Sequence, residues 1–264
     1  METPRLSHSI LGDNQILKLR KPSQTMPQAD QTHTSAGSQT LHGWASIALE
    51  GAGKIVKEFE DKTGHTVHLE FLPSADITVN LSKGLTTDFV FYPTKPITKF
   101  TSEGVLIADG FTPVVQSGIG IAVPKTSAIK APQNAAQLKE ILLSVSSIMY
   151  ATGPSGDHIE TIIDQLGIRS SIQHKIKIIS GLVAKGIESA QGEIGFQQIP
   201  EILLVPGAKL LSPLPADIQL LTPFSLSVHA SSKKVQLCKE LFHYLSHNRY
   251  KSLYADYGLE MITP

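Results

Sequence analysis

From residue 41 onward, short apolar runs that read as strands alternate with segments whose apolar residues fall at helical spacing, and glycine closes most of the helical segments. This alternation constrains the fold more than any other property of the chain. Parallel strands need a long crossover, which a helix supplies, whereas an all-β chain joins its strands by tight turns. The expected class is therefore α/β, with mainly parallel sheets flanked by helices.

The first series predicts a helix over 47–62, with Ile47, Leu49, Ile55, Val56 and Phe59 apolar and Gly64 beyond it. A strand follows over 65–72, with Val67, Leu69 and Phe71 on one face. A helix over 74–83 stops at Gly84, the run 88–92 (DFVFY) reads as a buried strand, and a helix over 96–103 stops at Gly104. The run 118–124 (GIGIAVP) is the next strand. A second series then begins, with helices over 135–143, 157–166 and 182–191, a helical turn over 200–205, and strands over 147–150, 175–179, 193–197, 209–211, 218–224 and 227–230. Helices over 235–246 and 250–257 close the chain. Two βα series need two sheets. The chain is expected to cross from lobe I to lobe II near Pro124 and to return near 222–224. Lobe I is then 41–122 plus 225–264, and lobe II 123–224. Two crossings make a hinge and leave a cleft, where α/β lobes bind ligands at strand C-termini.

Residues 1–40 are polar and rich in Ser, Gln, Thr and Pro, and 21–40 hold almost no large apolar side chain. Such a tail cannot bury enough surface to offset its ordering entropy, so disorder is expected there. The N-terminus has no apolar signal core after its basic residues, and no run approaches the roughly 20 apolar residues of a membrane span.

Composition excludes several classes. The 264 residues are 41% hydrophobic and 17% charged, with a formal net charge of zero. No basic excess points to nucleic acid. The single Cys238 rules out an internal disulfide or a cysteine zinc site, and its apolar helical neighbours indicate packing. Ten histidines lie scattered; His65 and His68 lack a third ligand, so no metal is expected. The segment Gly51-Ala52-Gly53-Lys54 imitates part of a phosphate loop but lacks its spacing and lies in a helical pattern.

The stretch 146–167 (SSIMYATGPSGDHIETIIDQLG) carries the sharpest chemical signal. A strand turns through Thr-Gly-Pro-Ser-Gly into a helix, exposing free backbone N–H groups and the positive end of the helix dipole. That is an anion site in waiting, although a turn of this kind taken alone reads first as an ordinary cap.

Several segments together resemble the type II periplasmic substrate-binding proteins: KEFEDKTGHTVHLEF, SGIGIAVP, GEIGFQQIPEILLVPGAKLLSPLP and CKELFHYLSHNRYKSLYADYGLEMI. The group most similar is the molybdate-binding-protein-like family of extracellular solute-binding proteins, across about 41–262. The loop ATGPSGDH and the run Phe196-Gln197-Gln198 depart from the molybdate pattern and resemble a branch that includes bacterial aconitate isomerase. The resemblance implies a two-lobed fold that captures a small oxyanion or organic anion, without a cofactor, as a monomer. It would serve an ABC transporter permease, or alternatively act as a tricarboxylate isomerase. It also implies a periplasmic location; with no leader visible in residues 1–40, a cytoplasmic one stays open.

On that fold the strand-end turns supply the candidate ligand contacts: Ser46, Ser74, Ala75, Thr94, Thr152, Ser155, Gly156, Gln197 and Gln198. Hydroxyls and helix N-termini can hold an anion without a positive side chain. Each alone is first a cap or turn residue. Ser117, at the start of a strand, is open between ligand and hinge, and Asp88 between structure and site, with structure favoured. For an isomerase, which must take a proton from one carbon and return it to another, the candidates are Glu201 and His158.

Overall fold

The computed structural model describes residues 37–262; the predicted polar tail lies almost wholly outside them. The first half runs β1 (Thr40–Ser46), α1 (Ala52–Thr63), β2 (Thr66–Leu72), α2 (Ser74–Ser82), β3 (Phe89–Pro93), α3 (Thr94–Ser102) and β4 (Thr112–Pro124). Then come α4 (Ala135–Ser144), β5 (Ile148–Ala151), α5 (Pro154–Gln165), α6 (Arg169–Ile172), β6 (Ile176–Ile179), α7 (Val183–Glu188), β7 (Ile194–Gln198), α8 (Ile199–Leu203) and β8 (Ala208–Pro213). The chain closes with β9 (Leu221–Val228), α9 (Val235–Leu245), α10 (Lys251–Asp256) and β10 (Glu260–Met261). No helix among the described residues is long and apolar enough to cross a membrane.

The fold is α/β and two-lobed. The strand order is β2-β1-β3-β9-β4-β7-β5-β6, with β8 and β10 also on β4. The strands joined by crossover helices run parallel: β1 with β2 and β3, and β5 with β6 and β7. The two long connecting strands run antiparallel to their neighbours. The first half of β4 pairs with β9 as far as Gly118, and from Ile119 it pairs with β7 and β8. One strand therefore belongs to both sheets.

Burial follows this division. Phe89 and Phe91 point from β3 into a core with α1 and α9, while Val90 and Tyr92 point to the other face, against α2 and α3. A strand covered on both faces is continuously apolar, which is why DFVFY shows no alternation. In the second sheet Ile119, Ile121 and Val123 pack with α4 and α5, and Ala122 with α7 and α8.

Several elements differ from the sequence expectation, among them α6 and β10, for which no element is expected, and α5, which begins at Pro154 rather than at 157. The helix predicted from 47 is a 3-10 turn, Ile47–Leu49, followed by α1 from Ala52, because Ser46 Oγ accepts from Ala48 N at 3.4 Å and caps a separate turn. Strand β4 begins six residues before Gly118, at Thr112; Pro113 and a register shift between Pro113 and Val115 hide its first half. The runs 218–224 and 227–230 are one strand, β9, through Pro223.

Candidate functional site

Two helices from different lobes start at the same cavity. Helix α2 opens at Ser74 after Pro73, and α5 opens at Pro154 after Gly153; neither has a side-chain cap. The first N–H groups of a helix have no intrahelical partner, so those of Ser74 and Ala75, and of Ser155 and Gly156, are free for a ligand. The dipoles of both helices favour negative charge at that point.

The loop sequence explains the α5 start. Gly153 has φ +116 and ψ −173, a region open essentially only to glycine. Pro154 then fixes the first helical residue, where its missing N–H costs nothing. Gly156 is buried, and a Cβ on it would stand 1.9 Å from the Ala151 carbonyl oxygen. Gly156→Ala is therefore expected to cost about 1–3 kcal/mol or more, read as a lower melting temperature, because backbone cannot give way as a side chain can.

The cavity is about 160 Å³, some ten times what one water requires. Its wall contains Ser46, Ser74 and Ala75 on one side, Thr152 and Ser155 on the other, and Gln197, Gln198 and Glu201 between. Ser74 Oγ donates to Ser46 Oγ at 2.9 Å. Gln197 Oε1 accepts from Ala184 N at 3.2 Å, and Gln198 Nε2 donates to Thr222 Oγ1 at 3.0 Å. The charged residues of the lining are Asp76 and Glu201; it includes no Lys, Arg or His. Burial pushes the Glu201 carboxyl up to about 7, against the opposing pull of hydrogen bonds from the Gln197 side chain and the Gln198 N–H. A neutral carboxyl in this position can donate a hydrogen bond to an anion and can exchange a proton near neutral pH.

Other candidates stand elsewhere. Thr94 and His158 line an outer depression, where Thr94 shares a 2.7 Å hydrogen bond with Ser225 and His158 Nε2 one of 2.8 Å with the Ile218 carbonyl. Ser117 is buried, its hydroxyl donating to the Gly118 carbonyl at 3.1 Å. Gly156 is not in the cavity wall; it packs against the Ala151 carbonyl behind the start of α5. Sequence reasoning missed Asp76, Ser180, Gly181, Thr222 and Phe224 in the wall. Ser180-Gly181, directly after the KIKII strand, had a usable signal, since cleft ligands sit at strand C-termini.

Cys238 is buried, and its thiol is pushed up to about 12, first by burial and then by the nearby Asp88 charge. It packs as an inert side chain.

Two α/β lobes joined through shared strands, with a cavity at the ends of helices from both, define a two-lobed solute-binding architecture. The chain matches the bacterial extracellular solute-binding protein family over residues 52–260, and it belongs to that family. Among solved structures it is similar to the periplasmic molybdate-binding protein of Azotobacter vinelandii, with TM-score 0.68 and 13% identity over 85% of this chain and 99% of that one. It is also similar to a tungstate-binding protein of Desulfovibrio alaskensis, with TM-score 0.63 and 12% identity over 86% of this chain and 100% of that one. Among curated proteins, an aconitate isomerase of a Pseudomonas species is 23% identical over 220 residues, 79% of this chain and 82% of its own length.

Proposed function

We propose that the chain captures a small anion in this cavity, by movement of the two lobes, 41–122 plus 225–264 and 123–224, about β4 and β9. The observation that carries the reading is the pair of uncapped helix starts, α2 and α5, opening on one cavity among the hydroxyls of Ser46, Ser74, Thr152 and Ser155. Oriented N–H groups and hydroxyls hold an anion without an opposing cation. The family, and the molybdate- and tungstate-binding proteins of the same fold, support this reading. The role that follows is capture outside the cytoplasm and delivery to an ABC transporter permease.

Glu201 favours a second reading. A carboxyl near pKa 7 in the wall of a ligand cavity is suited to take a proton from one carbon of a bound carboxylate and return it to another. Such a 1,3-shift moves the double bond and leaves the atom count unchanged, and one of the similar proteins is an aconitate isomerase.

Thermal-shift screening with molybdate, tungstate, sulfate, phosphate, citrate and cis- and trans-aconitate tests both readings. A bound anion at 100 times its dissociation constant raises stability by about 2.7 kcal/mol. Conversion of one aconitate isomer to the other, followed by NMR, separates enzyme from binder. The absence of any shift overturns the anion reading. Ser155→Ala is expected to weaken binding by about 1–3 kcal/mol in titration calorimetry; unchanged affinity would make Ser155 a turn residue only.

A further inference from the structure

We infer that Gln219 ties the hinge. Its side-chain amide joins the two segments that pass between the sheets, and so limits how freely the lobes swing apart. This rests on the lobe movement proposed above and names the residue that restrains it.

The two passages meet at one point. The last pair of β4 with β9 is Gly118 with Leu221, and the first pair of β4 with β8 is Gly120 with Pro213. Ile119, fully buried, lies in the interval between them. The chain returns from the second sheet to the first through 214–220, which belongs to no strand. Gln219 lies on that return, and its side chain serves Ile119 as a neighbouring strand would. Oε1 accepts from Ile119 N at 2.8 Å, and Nε2 donates to the Ile119 carbonyl at 3.0 Å. Oε1 also accepts from Leu220 N at 2.9 Å. The oxygen faces two N–H groups and the nitrogen faces a carbonyl, so the amide fits one way round only. Gly118 makes the approach possible, because a Cβ there would stand 3.0 Å from Nε2 and 3.1 Å from Cδ.

A continuous backbone ladder across this interval would weld the two sheets into one stiff body. A side chain holds the same two backbone groups through rotatable bonds, so the joint can turn while the passages stay side by side. Loss of the amide frees the return segment from β4 and leaves the buried Ile119 N–H without its partner. The functional consequence follows from the cavity. Ser46 and Ser74 stand at ends of the first-sheet elements β1 and α2, whereas Thr152 and Ser155 stand between β5 and α5 of the second. An anion is held only where both walls reach it, and apparent affinity scales with the fraction of molecules in that arrangement. Gln219 is not in the cavity lining, so it acts on affinity through lobe position rather than contact.

Spin-label distances on the ligand-free full chain, measured by double electron–electron resonance, test the proposal. Lys57→Cys on α1 and Leu143→Cys on α4 place exposed labels on helices of the two different sheets, and Lys57→Cys with Lys99→Cys gives a control pair on the first sheet alone. The native Cys238 is fully buried and does not compete. In Gln219→Leu the distribution between sheets is expected to widen about twofold as more lobe arrangements are populated, with the control pair unchanged. If this variant does not fold, Gln219→Glu keeps the length and the acceptor but loses the donor to the Ile119 carbonyl, and is expected to widen the same distribution. An unchanged distribution between sheets in a folded variant overturns the hinge role, even where the melting temperature falls, and leaves the amide a structural bond only. Widening of both pairs overturns it too, since the whole fold has then loosened. No anion enters the measurement, so its failure is separate from any failure of the anion reading.

Discussion

Asp88→Ala is expected to lower stability by about 3–5 kcal/mol, toward the lower end of that range, and the melting temperature by roughly 6–20 °C. The carboxylate accepts from His42 N at 2.9 Å and from Ser232 Oγ at 2.7 Å, and pairs with Lys234 Nζ at 3.0 Å. Its backbone continues the same junction: Asp88 N donates to the His42 carbonyl, and His229 N donates to the Asp88 carbonyl. One residue thus joins β1, β3, the end of β9 and the start of α9. The Asp88 side chain is 11% exposed and the Lys234 side chain 35%, so Lys234 can turn to water when the acid is lost, whereas the Ser232 hydroxyl cannot. Burial pushes the Asp88 carboxyl up, but the bonds from His42, Ser232 and Lys234 outweigh it and hold its pKa below the usual value. A depressed carboxylate contributes stability that is present above its unfolded pKa and lost as pH falls through its folded one. Asp88→Asn is accordingly expected to flatten the acid limb of the stability curve below about pH 4. A melting temperature within about 2 °C of wild type for Asp88→Ala would show that the junction is held by its backbone bonds alone.

The alternation that defines the α/β class is legible because strand and helix periods differ and each segment keeps one of them. Where tertiary pairing replaces periodicity, legibility ends. Strands β4 and β9 each carry a proline, Pro113 and Pro223, that reads as a strand boundary, and both persist because they pair with neighbours on both sides. The hydroxyls of the cavity are legible in kind, since Ser46, Ser74, Thr152 and Ser155 all stand at strand ends. What could not be read is which strand-end residues converge. His158 lies three residues beyond Ser155, about 4.5 Å further along α5, and that step places it in the outer depression with Thr94. Thr222 reaches the cavity only because β9 runs beside β4 where β4 passes from one sheet to the other, a juxtaposition that no local pattern encodes.

Glu201→Gln is expected to have the largest effect on how the protein responds to pH. The folded state holds the Glu201 proton up to about pH 7, whereas the unfolded chain releases it near 4.5. The folded state therefore binds more protons between these values, and stability falls as pH rises through that window, by up to about 3 kcal/mol. Glutamine keeps the neutral shape and removes the titration, so the variant is expected to show a flatter melting profile from pH 5 to 8 and to exceed wild type at the alkaline end. Anion affinity should follow the same sign. Ionised Glu201, in a lining without Lys, Arg or His, repels the ligand, so wild-type affinity declines toward pH 8 while that of the variant holds. The same substitution separates the two functional readings. In a binding protein, Glu201→Gln leaves affinity at pH 6 nearly unchanged. In an isomerase it keeps binding and lowers turnover by about 10²–10⁴-fold, because glutamine can neither take nor return a proton. A wild-type stability profile that does not change between pH 5 and 8 would remove Glu201 from both arguments, since a carboxyl that ionises in the usual range gives neither a neutral donor nor a base poised at neutral pH.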